Sequence, residues 1–228
     1  MEQYNIWDYY QNDEAMRKIA FTARARHQFL ARQIPSGAQV LNIGVGDGGL
    51  ERILVAKGVR VSALDPSEKT IAWLGQELHL GDRARVGVSQ SIPFHDDEFD
   101  VVIMTEVLEH LSDEVTRQTI KEIRRVLKPG GRFLGTVPAD ENLTTNEVVC
   151  PHCGTKFHRW GHLQSFSTAR LTSLLAGELS SVTVSRHFLC DFKKLNWKGR
   201  LYWIGKQLLL KAGIHGAGEN LFFSAIKA

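Results

Sequence analysis

From Gln39 to Val137, short apolar runs alternate with segments whose apolar residues recur at helical spacing. The runs predict strands near 39–43, 59–64, 84–88, 100–104 and 132–137. Such alternation implies a parallel sheet covered by helices on both faces, with right-handed crossovers. Upstream, Asp13 is positioned to cap a helix, with Met16, Ile19, Ala20, Ala23, His27 and Leu30 on one stripe before Pro35 ends it. Downstream, Ser167 or Thr168 caps a helix through Ala176, and 181–189 is strand-like. No internal repeat or low-complexity segment interrupts the pattern.

Bulk properties narrow the class without choosing a function. A chain of 228 residues suits one domain with a full core. Hydrophobic content of 43% and charged content of 23% are ordinary for a globular protein, and a net charge of +3 is thin support for a nucleic-acid partner. The start, Met1 to Gln11, is acidic and aromatic, unlike a signal peptide, and no apolar run reaches membrane-spanning length. Three cysteines, two of them in one CxxC, argue against a disulfide framework, so a cytoplasmic location is expected.

The candidate chemistry gathers where strands end. Val40-Leu41-Asn42-Ile43 runs into Gly44-Val45-Gly46-Asp47-Gly48-Gly49, a turn whose backbone N–H groups a ligand can approach. About twenty residues on, the second strand ends at Asp65, where a carboxylate can accept from both hydroxyls of a ribose. A third strand ends at Thr105-Glu106-Val107-Leu108-Glu109-His110, and Leu127-Lys128-Pro129-Gly130-Gly131 reads as a helix stop and turn before a new strand.

This ordered set resembles the class I S-adenosylmethionine-dependent methyltransferases, closely over residues 38–138. The resemblance implies a Rossmann-like, seven-stranded, mostly parallel sheet, with Asn220–Lys227 as its antiparallel C-terminal strand. It implies S-adenosylmethionine as cofactor, lined by Asn42, Gly44, Gly46, Gly48, Asp65, Pro66, Gln90, Ser91 and Thr105. Two positions depart from the family. Asn42 stands where an acid is usual, removing a negative charge near the sulfonium, and the Val88-Ser89-Gln90-Ser91 stretch lacks the usual acid near the adenine amine. A nicotinamide or flavin site would share the glycines and Asp65 but not the later motifs.

Methyl transfer to a hydroxyl requires an aligned acceptor and removal of its proton. Glu106, Glu109 and His110 are spaced to converge on one helical turn, and the pattern resembles two metal-dependent branches of the family. These are ubiquinone-biosynthesis O-methyltransferases and enzymes that 2′-O-methylate small RNAs at their 3′ ends. In both a later histidine joins, here matched by His162. The set predicts either Mg2+ or another divalent cation, or a plain His110 base without metal.

Residues 139–166 read as an insertion, with Cys150, Cys153, His158 and His162 at spacings that suit a structural Zn2+. A smaller set of Cys150, Cys153 and His158, completed by His152 or another residue, is the alternative, and Cys190 reads as a buried strand residue. Residues 1–36, with Tyr4, Trp7, Tyr9 and Tyr10, form an arm that either plugs the sheet end or acts as a lid on the 37–228 domain. A basic, aromatic helix is expected over 193–213, with Leu201, Ile204, Leu208 and Leu209 either buried as a cap or resting on a membrane surface. The expected function is O-methylation of a small-molecule acceptor by a monomer or homodimer. RNA methylation and a non-catalytic binding module are the alternatives.

Overall fold

The computed structural model describes residues 23–228. The Asp13 cap, the Met16–Ala20 stripe and the aromatic cluster of the arm lie outside the described residues.

Seven strands form one sheet: β1 (Gln39–Ile43), β2 (Arg60–Asp65), β3 (Ala84–Val86), β4 (Phe99–Thr105), β5 (Leu127–Pro138), β8 (Ser180–His187) and β9 (Asn220–Ile226). Their order is β3-β2-β1-β4-β5-β9-β8, and only β9, paired antiparallel with both β5 and β8, runs against the rest. Successive side chains of each central strand enter opposite cores. Val40, Val101, Ile103 and Leu134 pack under α1 (Arg24–Arg32) and α2 (Gly49–Ala56). Leu41, Val102, Met104 and Phe133 pack under α4 (Asp113–Val126) and α5 (Thr168–Ala176). Burial on both faces explains why these strands are apolar runs rather than alternating ones. The third helix, α3 (Glu68–Glu77), covers β2 with Ile71 and Leu74 and is capped by the Ser67 hydroxyl. Ser167, rather than Thr168, caps α5.

The sequence boundaries shift in three places. β3 stops at Val86, with an isolated bridge between Val88 and Ser91. β5 starts at Leu127, since the Pro129–Gly131 turn is absorbed as an irregularity in its pairing with β4. Cys190 is half-buried in the loop after β8, not in a strand, because that strand ends at His187.

Two additions sit on the sheet's carboxyl side. Residues between Ala139 and Phe166, which are joined by an isolated bridge, carry a 3-10 turn at Leu143–Asn146 and the hairpin β6 (Glu147–Val149) and β7 (Lys156–His158). Near the C-terminus, α6 (Trp197–Lys211) lies against the loops around Phe188 and Glu219 and contains no fully buried residue.

Candidate active site

The candidate site lies where β1 and β4, paired from Val40↔Val101 to Ile43↔Met104, give way to loops. Ligands of such sheets bind beyond the strands' carboxyl ends. Gly44 and Gly48 hold φ of +85° and +69°, and a Cβ at Gly44 would come within 2.6 Å of Val107 Cγ2. Glycine there serves the backbone turn and the approach of the 106–110 loop, as well as any ligand. Asp65 is 2% exposed. Its Oδ2 accepts from Val45 N (3.0 Å) and its Oδ1 from Ser67 N (2.9 Å), so it ties the glycine turn to the end of β2.

Asn42 is fully buried and donates to Gly44 O (3.2 Å) and to Glu51 Oε1 (2.6 Å). Sequence reasoning expected a carboxylate to be missing here. The structure supplies one from α2, one hydrogen bond behind Asn42. Glu51 gave no signal in the sequence, where it reads as an ordinary acid in a helix's first turn. Burial pushes its carboxyl up to about 7, against the lowering bond from Asn42, while Asp47 and Asp65 add to the rise. A carboxyl at 4.5 unfolded and about 7 folded favours the folded state at low pH, and that contribution is lost as pH rises through about 7. Glu51→Gln should therefore flatten the pH dependence. The difference in urea stability between about pH 5 and about pH 8 should shrink by roughly 2 kcal/mol relative to wild type.

The remaining positions expected to line the cofactor are scattered in character. Thr105 and Thr136 hydroxyls are 2.7 Å apart, and Thr136 Oγ1 donates to Glu106 Oε1 at 2.9 Å, so Thr105 donates to Thr136. Pro66 and Ser91 are exposed and Gln90 is half-buried at the rim.

Glu106 does not join the Glu109-His110-His162 group as the helical spacing implied, although it lies near enough for its charge to act on Glu109. It closes β4 with a left-handed φ of +54°, and only a 3-10 turn, Leu108–His110, follows. Its carboxylate is held by Thr136, by Asn220 Nδ2 (3.1 and 3.2 Å) and by Arg26 at 3.7 Å.

His110 and His162 do meet Glu109. One ligand atom from each lies within 4.8 Å of the others, and the two imidazole centroids are 4.7 Å apart. The backbone explains how residues this distant in sequence meet. Leu163 N and Gln164 N both donate to Glu109 O (2.8 and 3.2 Å). Gln164 Nε2 reaches Leu108 O, Leu111 O and Thr116 Oγ1, pinning the insertion's last segment onto the 3-10 turn.

Hydrogen bonds also set the tautomers. Burial, then the neighbouring His162, push His110 down to about 3, so it is neutral. Its Nδ1 faces the Gly161 carbonyl at 3.1 Å, which only accepts, leaving the lone pair on Nε2. His162 Nδ1 is bonded to Glu141 Oε2, so Nε2 is the ring nitrogen left for a cation. Burial pushes Glu141 up, but the bond and charge of His162 outweigh it and leave Glu141 below the usual range. Glu109 is 1% exposed, and both its carboxylate oxygens lack a hydrogen-bond partner among the described residues. Burial first, then Glu106, push it well above its usual value. A carboxylate held this way in a dry site is costly unless a cation completes it.

The expected zinc set does not assemble. His158 turns inward at the end of β7, its Nδ1 accepting from His162 N (3.1 Å) and its Nε2 lying 3.5 Å from Glu141 Oε1. Cys153 is exposed at the hairpin tip, 3.2 Å from Thr155 Oγ1. Among the described residues, the two convergent groups of potential ligands are Glu109-His110-His162 and Glu141-His158-His162, neither with a cysteine. In the second group the His158 lone pair is already taken at Nδ1, so its Nε2 carries the proton and Glu141 is left as an orienting carboxylate. Glu141 and Gln164 were missed, and His158 was expected only as a zinc ligand beside the cysteines. Only the fold of the insertion brings them to His110.

Comparison with known proteins agrees with this geometry. Residues 41–135 match the sequence model of a methyltransferase domain. A ubiquinone biosynthesis O-methyltransferase of Aromatoleum aromaticum is 31% identical over 109 residues, 45% of each chain. One of Caulobacter vibrioides is 30% identical over 171 residues, 68% of this chain and 64% of that one. The chain spans about half the length of the curated relatives it first matches (56% and 45%). A Haloferax volcanii protein solved in complex with the Trm112 methyltransferase activator superposes over 97% of both chains with a TM-score of 0.68 and 20% identity, a likeness of fold. Glycine turn, buried Asp65, strand order and sequence match coincide, and residues 41–135 form a methyltransferase domain of the class I S-adenosylmethionine-dependent type.

Proposed function

We propose that the chain transfers the methyl group of S-adenosylmethionine to a hydroxyl of a small molecule such as a sugar, polyketide, quinone or lipid-linked saccharide. The observation that carries this reading is the buried Glu109 carboxylate, without a hydrogen-bond partner among the described residues, facing two imidazoles beside the glycine turn. The residues fit a divalent cation. Glu109, His110 and His162 would hold it, with the Gly161 carbonyl and Glu141 fixing the imidazoles behind them. A mixed imidazole–carboxylate set suits Mn2+, Fe2+, Co2+ or Zn2+ better than Mg2+. When bound, such an ion lowers the pKa of a coordinated hydroxyl.

The chain's own groups divide the remaining work. Asp65 and the glycine turn bind and orient the cofactor, and Asn42 with Glu51 places a carboxyl behind the turn. Glu106, held by Thr136 and Asn220, borders the acceptor side and fixes the end of β4. Positioning of methyl and acceptor supplies much of the rate. Calorimetric titration with Mn2+ is expected to give one site per chain, lost in His162→Ala and weakened about tenfold or more in Glu141→Gln. No Mn2+ uptake by the wild type would leave His110 as a metal-free base and remove the cation from this account.

A further inference from the structure

The outer face of α6 is unlike any other surface of the described chain. Trp197, Leu201, Ile204 and Leu208 fall at i, i+4, i+7 and i+11, a single stripe along the helix. All four point to solvent, at 67%, 59%, 44% and 62% exposure. The opposite side is the one that holds the helix in place. Trp203 packs edge-on against Phe192 with ring centroids 5.0 Å apart, Gln207 Nε2 donates to Phe188 O at 3.1 Å, and Lys206 Nζ reaches the buried Glu219 at 3.3 Å. The apolar stripe is therefore not a core face left over from a cap. It is an additional face with nothing on it among the described residues.

Its borders are charged with one sign. Between Asp191 and Glu219 the chain carries Lys193, Lys194, Lys198, Arg200, Lys206 and Lys211 and no acidic residue. At helical spacing Arg200 and Lys211 flank one side of the stripe and Lys198 the other. Lys198 Nζ lies over the Trp197 ring at 5.6 Å, so a cation stands against the first residue of the stripe. No helix of the described residues is long and apolar enough to cross a membrane, so a spanning role for α6 is excluded.

We propose that α6 docks in the plane of an anionic lipid bilayer, with the Trp197-Leu201-Ile204-Leu208 stripe in the acyl boundary and the basic border on the head groups. An apolar stripe rimmed by cations on a short helix is the composition of an interfacial helix, and the rim is complementary to anionic lipid. A second copy of the chain fits less well, because antiparallel packing of two such stripes would bring basic rim against basic rim. RNA would use the cations but leave the Trp-Leu-Ile-Leu stripe in water. The inference does not rest on methyl transfer. It does bear on it, because Glu219, which anchors Lys206, adjoins Asn220, whose side chain holds Glu106 at the site. A bilayer under α6 would lie beside the acceptor side of the cleft.

The test is co-sedimentation of the full chain with vesicles of equal parts phosphatidylglycerol and phosphatidylcholine, compared with phosphatidylcholine alone. The expected result is partition onto the anionic vesicles only, weakening steeply toward about 0.5 M salt. Leu201→Glu with Leu208→Glu should lower that partition about tenfold or more, and Lys194→Glu with Lys198→Glu should do so at low salt. Both variants should retain wild-type affinity for S-adenosylhomocysteine, which reports an intact fold. Equal partition of wild type and the Leu201/Leu208 variant, or none by the wild type, would overturn the proposal. So would a dimer in light scattering, or binding to RNA, that the same Leu201/Leu208 changes abolish.

Discussion

Glu109→Gln is expected to lower turnover by about three orders of magnitude while leaving the protein as stable as the wild type, or more so. The two halves of this expectation have one cause. The carboxylate is 1% exposed and neither oxygen has a hydrogen-bond partner among the described residues, so the fold gains nothing from its charge. A neutral amide of the same shape removes the cost of burying that charge, whereas a cation ligand and its orienting imidazoles lose their anionic member. Thermal unfolding and single-turnover rates measured on the same preparation read both effects. A variant that loses stability and activity together would make Glu109 a structural residue and withdraw it from the site.

Asp65→Ala is expected to weaken S-adenosylhomocysteine binding by about a hundredfold or more. Two hydrogen bonds from a ribose diol to a buried carboxylate are worth about 3 kcal/mol together. The variant also releases Val45 N and Ser67 N, which the carboxylate now holds at 3.0 and 2.9 Å, so the glycine turn loses its tie to β2. Asp65→Asn separates the two contributions, because its amide oxygen can still accept one of the amide bonds without supplying charge. Calorimetry on both variants is the measurement. Binding in Asp65→Ala equal to wild type would show that the diol lies elsewhere.

The scaffold was legible because its signals are local. Apolar runs on both faces gave the strands, the glycine turn and Asp65 marked the ends of β1 and β2, and the antiparallel Asn220–Ile226 strand followed from the family resemblance. What could not be read depends on long-range packing. Glu51 carries no mark in the sequence; it becomes unusual only because α2 drops it behind Asn42. Helical spacing misled at Glu106, because its carboxylate, after a left-handed φ, bonds to Thr136 and Asn220 instead of joining the Glu109-His110-His162 group. Metal-ligand spacing likewise misled at Cys150 and Cys153. The β6–β7 hairpin is short, and its inner end delivers His158 to Glu141 while its tip keeps Cys153 in solvent. The α6 stripe was visible, but whether it faced inward or outward is a property of the packed molecule.

Label transfer tests the central claim most directly. The protein would be incubated with methyl-labelled S-adenosylmethionine and a cell extract, with and without chelator, and the small-molecule, lipid, RNA and protein fractions counted. The account predicts label in the small-molecule or lipid fraction, lost with chelator and restored by added Mn2+. Label confined to RNA or protein, or transfer indifferent to chelator, would contradict it.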